Sequence, residues 1–171
     1  MADFSTAFEK MIQHEGGFIL ENVEHDLGGL TYAGITKKYH PDWQGWQIID
    51  LGETDNPNLT QMVKDHYRST FWTQCKGKDI NNQKIAETIF DFSVNAGFGT
   101  AAKLAQIVVG ATPDGIIGPR TLEKLNVCDE ESFIIKYTLA KIARYAEICR
   151  KNPVQKKFLL GWINRALGDL S

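Results

Sequence analysis

His14-Glu15-Gly16-Gly17-Phe18, followed by Asp26-Leu27-Gly28-Gly29-Leu30-Thr31, is the densest chemical signal in the chain. It sets a carboxyl group beside two glycines and follows it, eleven residues on, with a second carboxyl group. Cleavage of a glycosidic bond commonly uses two carboxyl groups across a cleft: one protonates the leaving oxygen, and the other positions water or steadies an oxocarbenium-like transition state. Glu15 and Asp26 could fill those roles, with Thr31 holding the water and Gly16 and Gly17 leaving room for a sugar chain. The same residues also read as plain architecture, because Glu before two glycines is a common helix stop and Asp-x-Gly-Gly a common turn.

The elements that would position these groups follow from the apolar spacing. Phe4, Phe8, Met11 and Ile12 recur at helical intervals, which predicts a first helix over about residues 4 to 15, capped by the glycines, with Glu15 at its C-terminal end. From Phe18 to Pro57 the pattern is broken by Gly28-Gly29, Gly34, Pro41, Gly45 and Gly52, which suits a small β-hairpin and loops. Asn58 reads as an N-cap, after which Leu59, Met62, Val63, Tyr67, Phe71 and Trp72 share one helical face. Ile85, Ile89, Phe92 and Ala96 form a second stripe before Gly97, and Ala101 to Val109 a short helix. A long amphipathic run over 130–150 stops at Pro153, and Phe158, Leu159, Trp162, Ile163 and Leu167 stripe a last helix. The expected fold is mainly α with a small β-hairpin and loop segment near 18–57. A soft boundary near residue 95 divides it into 1–94 and 95–171, the latter an appended helical subdomain or the other lobe of one fold.

Composition removes whole classes of function. With 171 residues, 43% hydrophobic and 23% charged, the chain is neither disordered nor collagenous and can bury a real core. A net charge of −2 gives no general attraction to nucleic acid or to an anionic membrane, though it is compatible with a local basic patch. The three cysteines, Cys75, Cys128 and Cys149, lack C-x-x-C spacing and read as reduced thiols. Neither a signal peptide nor an apolar run of spanning length is present, so synthesis as a soluble cytoplasmic chain is expected.

Other chemistries find little support. His14-Glu15 begins like H-E-x-x-H, but Phe18 stands where the second histidine would be, and His25 with Asp26 or His40 with Asp42 lacks a third spaced ligand. No phosphate-cradling glycine loop or G-x-S-x-G elbow occurs, and no metal or cofactor is expected. Cys75, before Lys76-Gly77-Lys78, could be an activated thiol but reads equally as a passive one.

Tyr32, Tyr67, Trp72 and Asn95 are candidates for lining a glycan groove, since aromatic faces cover sugar rings and an amide both donates to and accepts from hydroxyl and N-acetyl groups. Tyr67 and Trp72 also complete an apolar stripe and could serve as core, while Trp43 and Trp46 could be exposed platforms or core plugs.

At His14-Glu15-Gly16-Gly17-Phe18, Asp26 with Gly28-Gly29-x-Thr31, Gly34-Ile35-Thr36, Tyr67-Arg68 with Phe71-Trp72, and Asp91-Phe92-Ser93-Val94-Asn95-Ala96-Gly97, the sequence resembles the glycoside hydrolase family 108 muramidases. These are lysozyme-like enzymes of bacteria and phages, some described as secretion activator proteins. Asp114-Gly115-Ile116-Ile117-Gly118-Pro119-Arg120-Thr121 is similar to the peptidoglycan-binding region that follows in that family, and reads also as a tight turn into a helix. The resemblance implies a lysozyme-like fold and hydrolysis of the β-1,4 bond between N-acetylmuramic acid and N-acetylglucosamine, with Glu15 as acid and Asp26 and Thr31 completing the set. The Glu15-to-Asp26 interval is longer than the family pattern, which leaves Glu21, Glu24 and His25 as alternatives to Asp26.

It further implies peptidoglycan glycan strands as partner; the charge balance points away from nucleic acid, and the lack of an export signal suggests release by a holin, a dedicated secretion system or lysis. The competing reading is a lysozyme-like scaffold that binds peptidoglycan or regulates secretion without cutting. Glu15 itself favours the enzyme, because a module that only binds has no use for an acid at the cleft.

Overall fold

The computed structural model describes residues 1–22 and 29–170. Asp26, with Glu24 and His25, lies outside the described residues. Packing divides the chain into two compact units, Phe4–Thr70 and a second made of Met1–Asp3 with Phe71–Ser171. Among the described residues there are eight α-helices and one small antiparallel sheet, a mainly α, lysozyme-like architecture. None of these helices is long and apolar enough to cross a membrane.

In the unit Phe4–Thr70, α1 (Phe4–His14) buries Phe4, Ala7, Phe8, Met11 and Ile12, the face that the helical spacing singles out. Strands β1 (Leu20–Asn22), β2 (Leu30–Tyr32) and β3 (Ile35–Thr36) pair in that order, with Glu21 opposite Thr31 and Thr31 opposite Thr36. Helices α2 (Gly45–Asp50) and α3 (Pro57–Tyr67) complete the unit. The N-cap of α3 is Asn56 rather than Asn58: its side chain accepts the Asn58 amide at 3.0 Å, and Pro57 takes the first helical position, where its missing N–H leaves nothing unpaired. Leu59, Val63 and Tyr67 face inward, and the Tyr67 ring meets Phe8 at 5.9 Å. Beyond Tyr67 the coil widens into a π-helical turn, Arg68–Trp72, so the apolar stripe does not continue as one regular helix.

The second unit is nearly all helix: α4 (Gln83–Ala96), α5 (Phe98–Val108), α6 (Pro119–Val127), α7 (Glu130–Lys151) and α8 (Leu159–Leu167), with 3-10 turns at Gly77–Asp79, Pro153–Phe158 and Gly168–Leu170. Its core holds Ile85, Ile89, Phe90, Phe92, Ala101, Ala105, Phe133 and Tyr137. Asn82 caps α4 by accepting the Ile85 amide, and Asp129 caps α7 by accepting that of Ser132. Three polar side chains organise this interior. Gln106, 1% exposed, donates to Asp114 Oδ1 at 2.7 Å and the Ile116 carbonyl at 2.9 Å, and accepts the Gly115 amide at 2.9 Å. Lys141, 2% exposed, donates to Thr88 Oγ1 and pairs with Asp169, with its ammonium over the rings of Phe92 and Tyr137. Arg165 grips Asp91 with two nitrogens, at 3.1 and 2.9 Å.

Gln106 thereby pins the Asp114–Ile116 loop to α5. Gln106→Ala leaves the Gly115 amide and the Ile116 carbonyl without this partner and is expected to cost about 2–3 kcal/mol. Urea unfolding of the purified variant checks this, with exposed Glu123→Ala as the reference that leaves the midpoint in place.

Candidate active site

Glu15 follows directly on α1, where the chain must stop coiling. The Gly17 amide donates to the Ile12 carbonyl at 2.8 Å and the Gly16 amide to that of Gln13 at 3.2 Å, the paired bonds of a Schellman ending. Gly16 and Gly17 have φ of +87° and +84°, which side-chain-bearing residues resist, and among the described residues a Cβ on either would meet no atom within 4 Å. The ending therefore fixes the backbone of Glu15, and among the described residues nothing fills the space beside the two glycines. Glu15 as a whole is half-buried.

A second element comes up against it. The turn from β2 to β3 has only Ala33 and Gly34, both with positive φ, +48° and +78°, as a two-residue hairpin of the I′ kind requires. A Cβ on Gly34 would lie 2.5 Å from the Tyr67 hydroxyl oxygen and 3.2 Å from Glu15 Oε2. Gly34 is thus glycine for two reasons, its torsion and the side chains pressed onto it. The Tyr67 hydroxyl donates to the Ala33 carbonyl at 2.9 Å, tying α3 to the turn. Glu15, Gly34 and Tyr67 form one cluster.

Thr31 lies one pair back from the turn, in a polar row Glu21–Thr31–Thr36 across the sheet, with its hydroxyl 3.4 Å from that of Thr36. Tyr32 points the other way and is buried; its hydroxyl donates to the Thr54 carbonyl at 3.4 Å, and burial, then Asp55, pushes its pKa up. Its ring stacks with Trp43, 6.4 Å between centroids.

The two tryptophans of the loop part company. Trp46 is a core plug, 3% exposed, whose indole N–H donates to the His40 carbonyl at 2.7 Å. Trp43 stays half-exposed, its ring folded over the Gly45 backbone so closely that a Cβ there would come within 2.5 Å of three ring carbons. It borders a concavity of about 310 Å³ shared with Gln44, Met62, Asp65, His66 and Ser69. The His66 imidazole meets His40 edge to face at 4.6 Å, and its pKa is pushed down to about 4, first by burial and then by His40.

Trp72 and Asn95 belong to the helical unit. Trp72 is buried, edge to face with Phe90 and flat against Gly77, whereas Asn95 is exposed and its amide oxygen accepts from the Tyr145 hydroxyl at 3.4 Å. The Asp114–Pro119 segment is a built turn: Asp114 accepts from Gln106 and from the Ile116 amide, and both bonds hold its carboxyl below the usual range. Asp114 also borders a concavity of about 520 Å³ with Thr112, Arg120, Thr121 and Lys124. Cys75 is fully buried and its thiol is pushed up to about 12, chiefly by burial, which removes it as a nucleophile. Among the described residues no three His, Cys, Asp or Glu side chains converge as a metal site would need.

Sequence reasoning missed Gly34 as a contact residue and Tyr67 as a hydroxyl donor. The signal for the first was present, since Ala-Gly between two short β-type runs is a hairpin turn.

The glycosyl hydrolase 108 model matches residues 8–97, and the predicted peptidoglycan domain model matches residues 100–167. No curated protein matches the chain. The structure of Brucella abortus SagA is similar in fold, with a TM-score of 0.68 and 24% identity over 98% of this chain and 95% of that one.

Two outcomes follow from this geometry. Gly34→Ala forces a positive φ on a β-carbon and drives it into Tyr67 and Glu15, and is expected to destabilise the protein by about 2 kcal/mol or more in urea unfolding. His66, at about 4 when folded against 6.5 for the free side chain, refuses a proton that the unfolded chain accepts. Stability should therefore fall as pH drops from 6.5 towards 4, and His66→Phe should flatten that slope; an NMR titration of the imidazole with unfolding midpoints at several pH values reads both.

Proposed function

Because the chain belongs to the glycosyl hydrolase 108 family, and is thereby a glycoside hydrolase carrying a peptidoglycan-binding region, we propose that it cleaves the β-1,4 bond between N-acetylmuramic acid and N-acetylglucosamine in peptidoglycan. The observation that carries this reading is the placement of Glu15: a carboxylic acid at a rigid helix ending, with space beside Gly16 and Gly17 that no described residue fills and with the Gly34 turn against it.

In this reading Glu15 gives its proton to the glycosidic oxygen as the C1–O bond breaks, and positive charge grows on the ring carbon. Asp26, with Thr31, delivers water to that carbon, and the proton lost by the water restores the acid at the end of the cycle. A carboxyl separation of about 6.5–9.5 Å would invert the anomeric centre, and one nearer about 5 Å would retain it. Tyr32 and Tyr67 are buried within the unit Phe4–Thr70 and Trp72 within the helical unit, which favours core packing for these rings over contact with sugar, whereas Asn95 of the helical unit is exposed.

Wild type and Glu15→Gln, incubated with purified peptidoglycan, are expected to differ by about a hundredfold or more in release of muramic-acid reducing ends, read by reduction and mass spectrometry. Binding to sacculi should survive the substitution. Wild type that sediments with sacculi but cuts nothing would instead leave a wall-binding protein.

A further inference from the structure

The chain is net negative, −2, yet from Ile148 to Gly168 it contains five Lys or Arg and no Asp or Glu. Arg165 is used internally, paired with Asp91, and Lys151 has a surface partner in Glu147. Arg150, Lys156 and Lys157 are exposed, and among the described residues no carboxylate lies within ion-pair distance of them. The same stretch holds large apolar side chains in water: Val154 is 68% exposed, Phe158 46% and Leu160 70%. On α8, Leu160 and Leu167 lie two turns apart on the outward face, while Ala166 is turned inward. The Lys157 ammonium stands 4.8 Å above the Phe158 ring, so cation and apolar surface are presented together.

We propose that this segment, Arg150 to Leu167, docks the protein on an anionic lipid bilayer. The choice of partner follows from what each surface could satisfy. A soluble polyanion would neutralise Arg150, Lys156 and Lys157 but leave Val154, Phe158 and Leu160 in water. A zwitterionic bilayer would accept the apolar side chains without engaging the charges. A bilayer rich in anionic headgroups uses both, with the lysines at headgroup level and the apolar side chains at the acyl boundary. Since the rest of the chain is net acidic, such a surface also selects this segment as the face that approaches. The overall charge, which argues against membrane adsorption, averages the patch away.

The test uses the full chain and sucrose-loaded vesicles, either phosphatidylcholine alone or an equimolar mixture with phosphatidylglycerol, sedimented at low and high salt. Wild type is expected to pellet with the mixed vesicles and not with phosphatidylcholine, more weakly at high salt. Lys156→Glu with Lys157→Glu should weaken partitioning on the order of a hundredfold. Phe158→Ser with Leu160→Ser should weaken it on the order of tenfold. Both pairs are exposed, and unfolding midpoints equal to wild type establish that the fold is kept. Equal pelleting with both vesicle types, or with neither, overturns the proposal. So does vesicle binding that is unaffected by Phe158→Ser with Leu160→Ser and is fully competed by dextran sulfate, the behaviour of a site for soluble polyanions.

Discussion

The approach of three chain segments at Gly34 is the constraint on which the candidate site depends. The end of α1, the β2–β3 turn and the last turn of α3 come close enough there that no side chain fits between them. The Tyr67 bond to Ala33 contributes about 1 kcal/mol net, so it does not by itself hold the segments together. What holds them is burial of Phe8, Met11, Val63 and Tyr67, and the hydroxyl bond selects one arrangement among those such a core would tolerate. Orientation of Glu15 is thus a by-product of apolar packing, made specific by one polar contact and one missing methyl group.

The helical unit meets a different constraint, that of charge inside a core. Burial pushes the Lys141 pKa down and Asp169 opposes that effect, so the ammonium depends on a partner contributed by the final 3-10 turn. Losing one member of such a pair typically costs about 3–5 kcal/mol, far more than the pair gains over an apolar substitute. Arg165 and Asp91 repeat the arrangement between α8 and α4. These contacts specify which helices meet and in what register, which the alanine-rich face of α5 could not do alone.

Much of this was legible in the sequence wherever the cause was local. Gly16-Gly17 announces a helix stop because only glycine takes those torsions readily, and Pro153 ends α7 because it cannot donate within a helix. Asn56 could have been identified as the cap of α3 from the proline that follows it. Other features have no local signature. Trp43 and Trp46 sit in the same loop, and only the three-dimensional surroundings decide that the second is buried. Gln106 and Lys141 look like the polar face of amphipathic helices; their burial follows from partners 8 to 53 residues away. The meeting of Glu15 with Gly34 is of this second kind. The family resemblance reaches it only through matching motifs, not through geometry.

The pairing of Glu21 with Thr31 and of Thr31 with Thr36 has a consequence for how this region can vary over evolution. Glu15 is held by the helix ending and Thr31 by the strands on either side, so the stretch of chain between Asn22 and Gly29 begins and ends at fixed points. Insertions there change the length of a connection whose closure entropy grows only slowly, and they need not shift the register that places Thr31. By contrast, a single residue added at Ala33-Gly34 would move every side chain of β3 to the opposite face of the sheet.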